Sequence, residues 1–174
     1  MFDNKMLLAL GAGVCVVLGT VFYFNAPKKH HHAQENIVLM NVLDKEYFDD
    51  CHIPGSVNVP VDKVDEYIKT LSKDDTIVVY CTNYACTASG SVAEELVNHG
   101  FKKVYAYEAG ITGWFSAGYK CDGECKQPYL AMPNTPLEHT DAKHAYAIIE
   151  TVELKKLIDN CSAQKQSCHC CAGH

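Results

Sequence analysis

The segment Thr76 to Gly100, TIVVYCTNYACTASGSVAEELVNHG, constrains the fold more than any other part of the chain. Ile77 to Tyr80 is an apolar run without alternation and is too short for a helix, so it predicts a strand buried on both faces of a parallel sheet. A helix is predicted after it, because apolar residues such as Val92 and Leu96 share one face. Cys81 therefore lies in a loop between a strand and a helix.

The position of Cys81 before a helix has a chemical consequence. Backbone N–H groups at a helix N-terminus have no partner within the helix and carry partial positive charge, so an anion held in the preceding loop is stabilised. We therefore expect a lowered pKa for the Cys81 thiol and a reactive thiolate.

Strands and helices alternate along the chain on either side of this segment. This alternation predicts an α/β domain with a doubly wound parallel sheet. The predicted elements are a strand over Ile37 to Val42, a strand over Val57 to Val59, a helix over Val64 to Leu71, a strand over Val104 to Tyr107 and a helix from Gly110 to Ala117.

The N-terminal region predicts attachment to a membrane. Residues 6–24 contain no charged residue across nineteen positions, which is long enough for one transmembrane helix. A cleaved signal peptide is the alternative, since Lys5 precedes the apolar stretch. Lysines on both sides of it, Lys5 against Lys28 and Lys29, leave open which side of the membrane the domain faces. Residues 25–35, with His30 to His32, form a polar linker.

Charge and cysteine content restrict the function further. The net charge of −6 provides no basic surface, so nucleic acid is excluded as an expected partner. Ten cysteines are many for 174 residues, yet a hydrophobic content of 48% supplies a core without a disulfide framework.

Three segments, taken in order and spacing, resemble a known family. EYFDDCHIPGSVNVP, VVYCTNYACTASGSVAEEL and YEAGITGW resemble the signature segments of rhodanese-like domains, sulfurtransferases that carry sulfane sulfur on a cysteine. The resemblance places the domain at 36–127 and makes Cys81 the nucleophile that forms a persulfide. It implies a small-molecule or protein sulfur donor, a thiol acceptor and no required cofactor. It also implies that the outer sulfur of the persulfide is held by backbone N–H groups of the loop that follows Cys81. The residues of this loop are Thr82, Asn83, Tyr84, Ala85 and Cys86.

The sequence departs from that family at several positions. Cys86 stands where arginine is frequent, Asn41 where aspartate is usual and Cys51 where glycine is common. Losing the arginine removes a bidentate anion clamp, so thiosulfate is not the physiological donor we expect. Two roles for Cys86 stay open: a resolving thiol for Cys81, which would make the chain a thiol redox protein, or a packing residue beneath the helix.

The C-terminal third carries further cysteines. Asp122-Gly123 favours a turn that brings Cys121 and Cys125 together as a disulfide or as half of a metal site. Residues 128–144 are predicted to be a linker, and 145–174 a helix over Ala145 to Asp159 followed by a tail rich in cysteine and histidine.

The tail offers a soft ligand set suited to Zn²⁺ or Cu(I). Three interpretations remain open for it: metal binding, a thiol relay or disulfide role, and an unstructured tail. Metal binding would suit an alternative function, a rhodanese-fold binding module with weak catalysis. The candidate ligands are Cys161, Cys168, His169, Cys170, Cys171 and His174.

Overall fold

A computed structural model describes residues 14–17, 20–23, 36–136 and 144–167 of the chain. The chain divides into two compact units, Met1–Gln34 and Glu35–His174. In the first unit, strands β1 (Val14–Val17) and β2 (Thr20–Tyr23) pair in antiparallel fashion.

The two strands differ from the helix predicted over residues 6–24. Valine occurs in both strands and threonine begins β2, and such β-branched side chains favour extended backbone over helix. The other residues of the predicted helix lie outside the described part of the chain. Among the described residues, no helix combines the length and the apolar character that crossing a membrane requires.

The second unit is built on a five-stranded parallel sheet in the order β4-β3-β5-β6-β7. This confirms the predicted parallel α/β sheet. Its strands are β3 (Ile37–Asn41), β4 (Val57–Asn58), β5 (Thr76–Tyr80), β6 (Lys103–Tyr107) and β7 (Ala147–Ile148).

Strand β5 is the middle strand, and all five of its residues are buried, as the unalternating apolar run predicted. Its odd and even side chains enter two separate cores, because successive side chains of a strand point to opposite faces. Ile77, Val79 and then Cys81 belong to one core, and Val78 and Tyr80 to the other.

Helices cover both faces of the sheet. Helices α2 and α3 contribute Val64, Val92 and Leu96 to the core that contains Cys81. Helices α4 and α5 contribute Ile111 and Leu154 to the opposite core. The helices are α1 (Lys45–Asp50), α2 (Val64–Tyr67), α3 (Ala88–Asn98), α4 (Gly110–Ser116) and α5 (Thr151–Ser167).

Three local predictions need correction. The helix predicted over Val64 to Leu71 is only four residues of α-helix between two 3-10 turns. The helix predicted from Ala145 begins at Thr151 instead, because Ala147–Ile148 extends the sheet as its edge strand beside β6. The predicted linker 128–144 contains a 3-10 turn at Pro128–Ala131 with a buried Leu130.

Candidate active site

Cys81 follows the last residue of β5 and has none of its surface exposed. Its thiol donates hydrogen bonds to the Cys86 carbonyl oxygen at 3.1 Å and to Ser89 Oγ at 3.4 Å. Cys86 lies on the same side of the sheet and is half-buried against the same core. The segment Cys81 to Cys86, called the active loop below, therefore curls back on itself and brings its two cysteines together.

The pKa values of the two thiols are shifted in opposite directions. The hydrogen bond with Cys86 and burial both raise the pKa of Cys81 above the ordinary thiol value. The hydrogen bond with Cys81 lowers the pKa of Cys86 to about 5, against the opposing effect of partial burial, and the N–H groups of Ala88 and Thr82 act in the same direction. The pair therefore carries its negative charge on Cys86, whereas the sequence predicted it on Cys81.

Amides of the active loop are largely committed to other acceptors. The N–H of Tyr84 donates to Asn134 Oδ1 at 3.1 Å, and the N–H of Ala85 donates to Asn83 Oδ1 at 3.1 Å. The N–H of Cys86 donates to the Asn83 carbonyl oxygen at 3.0 Å. These three amides therefore have acceptors within the protein, and the cradle that the resemblance implies around the outer sulfur of Cys81 stays a prediction. The sulfur that receives backbone N–H groups of Thr82 and Ala88 is that of Cys86.

The first residues of α4 donate backbone hydrogen bonds to the active loop. The N–H groups of Ile111 and Thr112 donate to the carbonyl oxygens of Cys81 at 3.0 Å and Thr82 at 2.9 Å. Gly110 has a φ of +59°, and a Cβ placed there would lie 2.5 Å from the Thr82 carbonyl group. Only glycine meets both conditions, because a side chain at positive φ is strained and this one would also collide with the loop.

Two further residues that hold the loop were not predicted. Asn134 bridges the active loop and α4, because its Oδ1 accepts from Tyr84 and its Nδ2 donates to the Ala109 carbonyl oxygen at 2.8 Å. It lies in the segment predicted to be a linker, where no sequence pattern marks it. Ser89 is buried on α3 beside Cys81, and its place on the inner face of a predicted helix was the available signal.

The charges near the active loop are negative. The pKa of Tyr84 is raised first by burial and then by the carboxylates of Glu150 and Glu108. The whole sequence contains lysine as its only strongly basic side chain and no arginine. The bidentate clamp that arginine gives to a dianion is therefore available from no residue of this chain.

The cysteines outside the loop are arranged differently from the prediction. Cys125 forms a disulfide with Cys51, with a Cα–Cα distance of 4.6 Å, and Cys121 is a half-buried free thiol. A disulfide between Cys121 and Cys125 is thus wrong, because residues distant in sequence approach Cys125 more closely. Cys161 is a half-buried free thiol on α5. The other predicted tail ligands, Cys168, His169, Cys170, Cys171 and His174, lie outside the described residues.

Two curated proteins and one solved structure are similar to part of this chain. Thiosulfate sulfurtransferase GlpE of Coxiella burnetii is 33% identical over 81 residues, which cover 47% of this chain and 74% of that protein. The putative sulfur carrier protein YrkF of Bacillus subtilis is 28% identical over 87 residues, which cover 50% of this chain and 46% of that protein. The solved structure of the BH2092 protein from Bacillus halodurans is 30% identical and covers 52% of this chain and 66% of that one, with a TM-score of 0.48.

The family assignment follows from the sequence match. The rhodanese-like domain family matches residues 27–117, a segment that contains β3 to β6, the active loop and α4. Together with relatives that are named sulfurtransferases, this match shows that the chain belongs to the rhodanese-like domain family.

Proposed function

We propose that this protein is a sulfurtransferase that accepts sulfane sulfur on Cys81 and passes it to a thiol. The observation that supports this most directly is the placement of a buried thiol at the end of the middle strand, in contact with a second cysteine whose pKa is lowered to about 5. The family match and the named activity of the curated relatives support the same class of reaction.

Cys86 acts first, as the proton acceptor for Cys81. A proton must move from the Cys81 thiol to the Cys86 thiolate, against the difference between their pKa values, so the reactive Cys81 thiolate beside a neutral Cys86 is the minor form of the pair. The Cys81 thiolate attacks the outer sulfur of a persulfide donor, RS–SH, and forms Cys81–S–SH while RS⁻ leaves. An acceptor thiolate then attacks the outer sulfur and regenerates Cys81. This exchange lets a buried thiol react without an arginine nearby.

The donor is expected to carry little negative charge. Glu108 and Glu150 raise the pKa of Tyr84 and act on the loop in the same sense, so they oppose a dianion such as thiosulfate. A protein or low-molecular-weight persulfide fits better than thiosulfate, although the Coxiella burnetii relative is named a thiosulfate sulfurtransferase.

Sulfur loading provides the test. Reduced protein is incubated with a low-molecular-weight persulfide or with thiosulfate, and the gain of one sulfur atom is located by peptide mass spectrometry. We expect loading on Cys81 with the persulfide, slower loading with thiosulfate, and none on this peptide in Cys81→Ser. Cys121→Ser is the matched control, because it removes a half-buried thiol outside the loop. Absence of any Cys81 adduct with either donor contradicts the proposal.

A second candidate, thiol redox chemistry, is favoured by the hydrogen bond between the two loop cysteines. After loading, a Cys86 thiolate can attack the Cys81 sulfur of the persulfide, which forms a Cys81–Cys86 disulfide and releases HS⁻. Cys86→Ser then lengthens the persulfide lifetime and abolishes hydrosulfide release. If Cys86→Ser leaves both unchanged, Cys86 serves proton transfer or packing and the redox candidate is wrong.

A further inference from the structure

Three cysteine sulfurs meet on the face of the sheet opposite to Cys81. The Sγ atoms of Cys51, Cys121 and Cys125, called the three-cysteine cluster below, all lie within 4.8 Å of one another. They pack with the core that contains Tyr80, whereas Cys81 belongs to the core on the other face. The cluster is therefore separate from the active loop, and the proposed sulfur transfer does not use it.

Backbone hydrogen bonds hold the two segments of the cluster together independently of the disulfide. His52 and Asp122 exchange a pair of N–H···O bonds, at 3.0 Å and 2.9 Å, as an antiparallel bridge. The N–H of Cys125 donates to the Asp50 carbonyl oxygen at 2.8 Å. Cys125 makes one of these backbone hydrogen bonds itself, and Cys51 and Cys121 are the chain neighbours of His52 and Asp122, which make the others. The backbone positions of the three cysteines therefore do not depend on the S–S bond.

The side chain of Asp50 strengthens the same contact. Its two carboxylate oxygens accept from the N–H groups of Lys126 at 3.1 Å and Gln127 at 3.2 Å. Cys125 adopts a φ of +52°, and Gly123 a φ of +103° where its backbone passes close to the Asp50 carbonyl oxygen. The turn between Cys121 and Cys125 is thus fixed in a shape that keeps both sulfurs facing Cys51.

The cluster has the composition and spacing of a soft-metal site once the disulfide is open. Cysteine sulfurs bound to one metal ion at about 2.3 Å lie about 3.8 Å apart. Cys121 Sγ, already within 4.8 Å of the other two sulfurs, needs to approach them by about 1 Å or less. The sulfurs of Cys51 and Cys125 must separate from a covalent bond of about 2.05 Å to that distance once the disulfide is open. Thiolates select Cu(I) and Zn²⁺. Zn²⁺ prefers four ligands, whereas the cluster in the described part of the chain supplies three, which suits a three-coordinate Cu(I) ion.

We propose that reduction of the Cys51–Cys125 disulfide converts the three-cysteine cluster into a site that binds one Cu(I) ion. A dithiol reductant supplies two electrons and two protons, becomes a disulfide, and leaves Cys51 and Cys125 as thiols. Cu(I) then displaces the protons of the three thiols and binds the resulting sulfurs. A disulfide oxidant takes up two electrons and becomes two thiolates while the Cys51–Cys125 bond forms again, and this releases the ion because the disulfide and the metal use the same sulfurs.

The test uses a full-length background that retains only Cys51, Cys86, Cys121 and Cys125, so that the other cysteines cannot bind copper. The replaced residues, all changed to Ser, are Cys15, Cys81, Cys161, Cys168, Cys170 and Cys171. Cu(I) is titrated against a chromogenic chelator after reduction by a phosphine, and again without reduction. Within the background, Cys121→Ser removes the third ligand and keeps the disulfide. Cys86→Ser is the matched control, because it removes a half-buried thiol from the other face.

We expect one Cu(I) per chain in the reduced background and in reduced Cys86→Ser, and none at the same chelator concentration in the oxidised form. Cys121→Ser should weaken binding by at least the roughly tenfold to hundredfold loss seen when supporting residues of metal sites are removed. Equal affinity in Cys121→Ser and the background, or equal binding with the disulfide closed, overturns the proposal.

Thermal unfolding in the reduced state provides a second measurement. It can be interpreted even if the reduced protein does not fold without Cu(I). Cu(I) should raise the Tm of the reduced background, or refold it if it has unfolded, and should do neither in Cys121→Ser. Absence of any Cu(I)-dependent change in the reduced background also overturns the proposal.

Discussion

At the scale of single residues, Cys86 combines two properties that a packing residue would not need. It is hydrogen-bonded to Cys81 and receives backbone N–H groups from Thr82 and Ala88, and together these lower its pKa to about 5. A lowered pKa means that the thiolate is present above about pH 5 and is lost as the pH falls through that value. Cys86 should therefore carry the thiolate of the pair at neutral pH, while Cys81 is the thiol that we propose to accept sulfur.

Alkylation by iodoacetamide at a series of pH values tests this assignment. In the parent protein the rate at Cys86 should be half-maximal near pH 5. In Cys81→Ala the principal hydrogen-bond donor is lost, so the midpoint should rise towards the ordinary thiol value of about 8.5. Peptide mapping separates Cys86 from the other cysteines. A midpoint that is the same in both proteins would mean that Cys81 does not control the ionisation of Cys86.

Replacing Cys86 with arginine tests whether the loop binds thiosulfate poorly because it has no arginine. Cys86→Arg would supply the bidentate donor that the sequence does not contain, so loading of Cys81 from thiosulfate should accelerate relative to Cys86→Ser. Loading from a neutral disulfane donor should gain no such advantage. The ratio of the two loading rates in each variant is the measurement, and an unchanged ratio would show that charge at this position does not select the donor.

At the scale of secondary-structure elements, the contact between α4 and the active loop should be the most sensitive to substitution. Gly110→Ala places a methyl group against the Thr82 carbonyl at a φ of +59°, so we expect a loss of about 1–3 kcal/mol in the free energy of unfolding and slower sulfur loading. Denaturant unfolding and the loading assay measure the two effects.

Gly118, at the other end of α4, provides the matched control. It also has a positive φ, +73°, but a Cβ there meets nothing within 4 Å. Gly118→Ala should therefore lose stability through backbone strain and keep its sulfur loading. If both variants load sulfur at the parental rate, the hydrogen bonds from α4 do not position the active loop.

The strand-loop-helix around Cys81 could be predicted because its information is local. An apolar run without alternation locates β5, helical periodicity locates α3, and the five buried positions of β5 confirm the prediction of a buried strand. The edge strand Ala147–Ile148 could not be predicted this way, since two residues carry no period and the pairing with β6 is made across the fold. Asn134 was missed for the same reason, because it reaches the active loop from a segment fifty residues away.

The sequence also could not predict which of the two loop cysteines carries the thiolate. Helix position alone favours a thiolate, but it does not say how the N–H groups are shared: those of Thr82 and Ala88 act on the Cys86 sulfur, and that of Ser89 acts on the Cys81 sulfur. This sharing depends on the curl of the loop, which Asn83 fixes by accepting from Ala85 and Cys86.

At the scale of the whole molecule, the Cys51–Cys125 disulfide joins residues 74 positions apart. Cysteine spacing alone does not determine such a pairing, and sequence proximity favoured Cys121 as the partner. Closing a loop of 74 residues is worth about 4 kcal/mol on the chain-entropy estimate. Cys125→Ser should therefore lower the free energy of unfolding by about 2–4 kcal/mol under oxidising conditions.

Cys121→Ser is the control for this prediction, because it removes a neighbouring half-buried thiol and leaves the disulfide intact. Its loss should be well below that of Cys125→Ser, and adding a reductant should bring the parent close to Cys125→Ser. Equal unfolding free energies for the parent and Cys125→Ser without reductant would show that the disulfide does not contribute to stability.

The same bond gives the polypeptide a topology that its sheet alone does not have. Residues 51–125 form a closed covalent ring that contains β5, the active loop and α4, while β3 and β7 lie on the two chains leaving it. A protease cut within the ring opens it without releasing a fragment, since the two pieces stay joined through sulfur. When the two chain ends are pulled apart, the S–S bond carries the tension, and the residues inside the ring, including β5, are not extended. Mechanical extension of the oxidised protein should therefore fall short of the reduced one by the contour of 74 residues, about 250 Å.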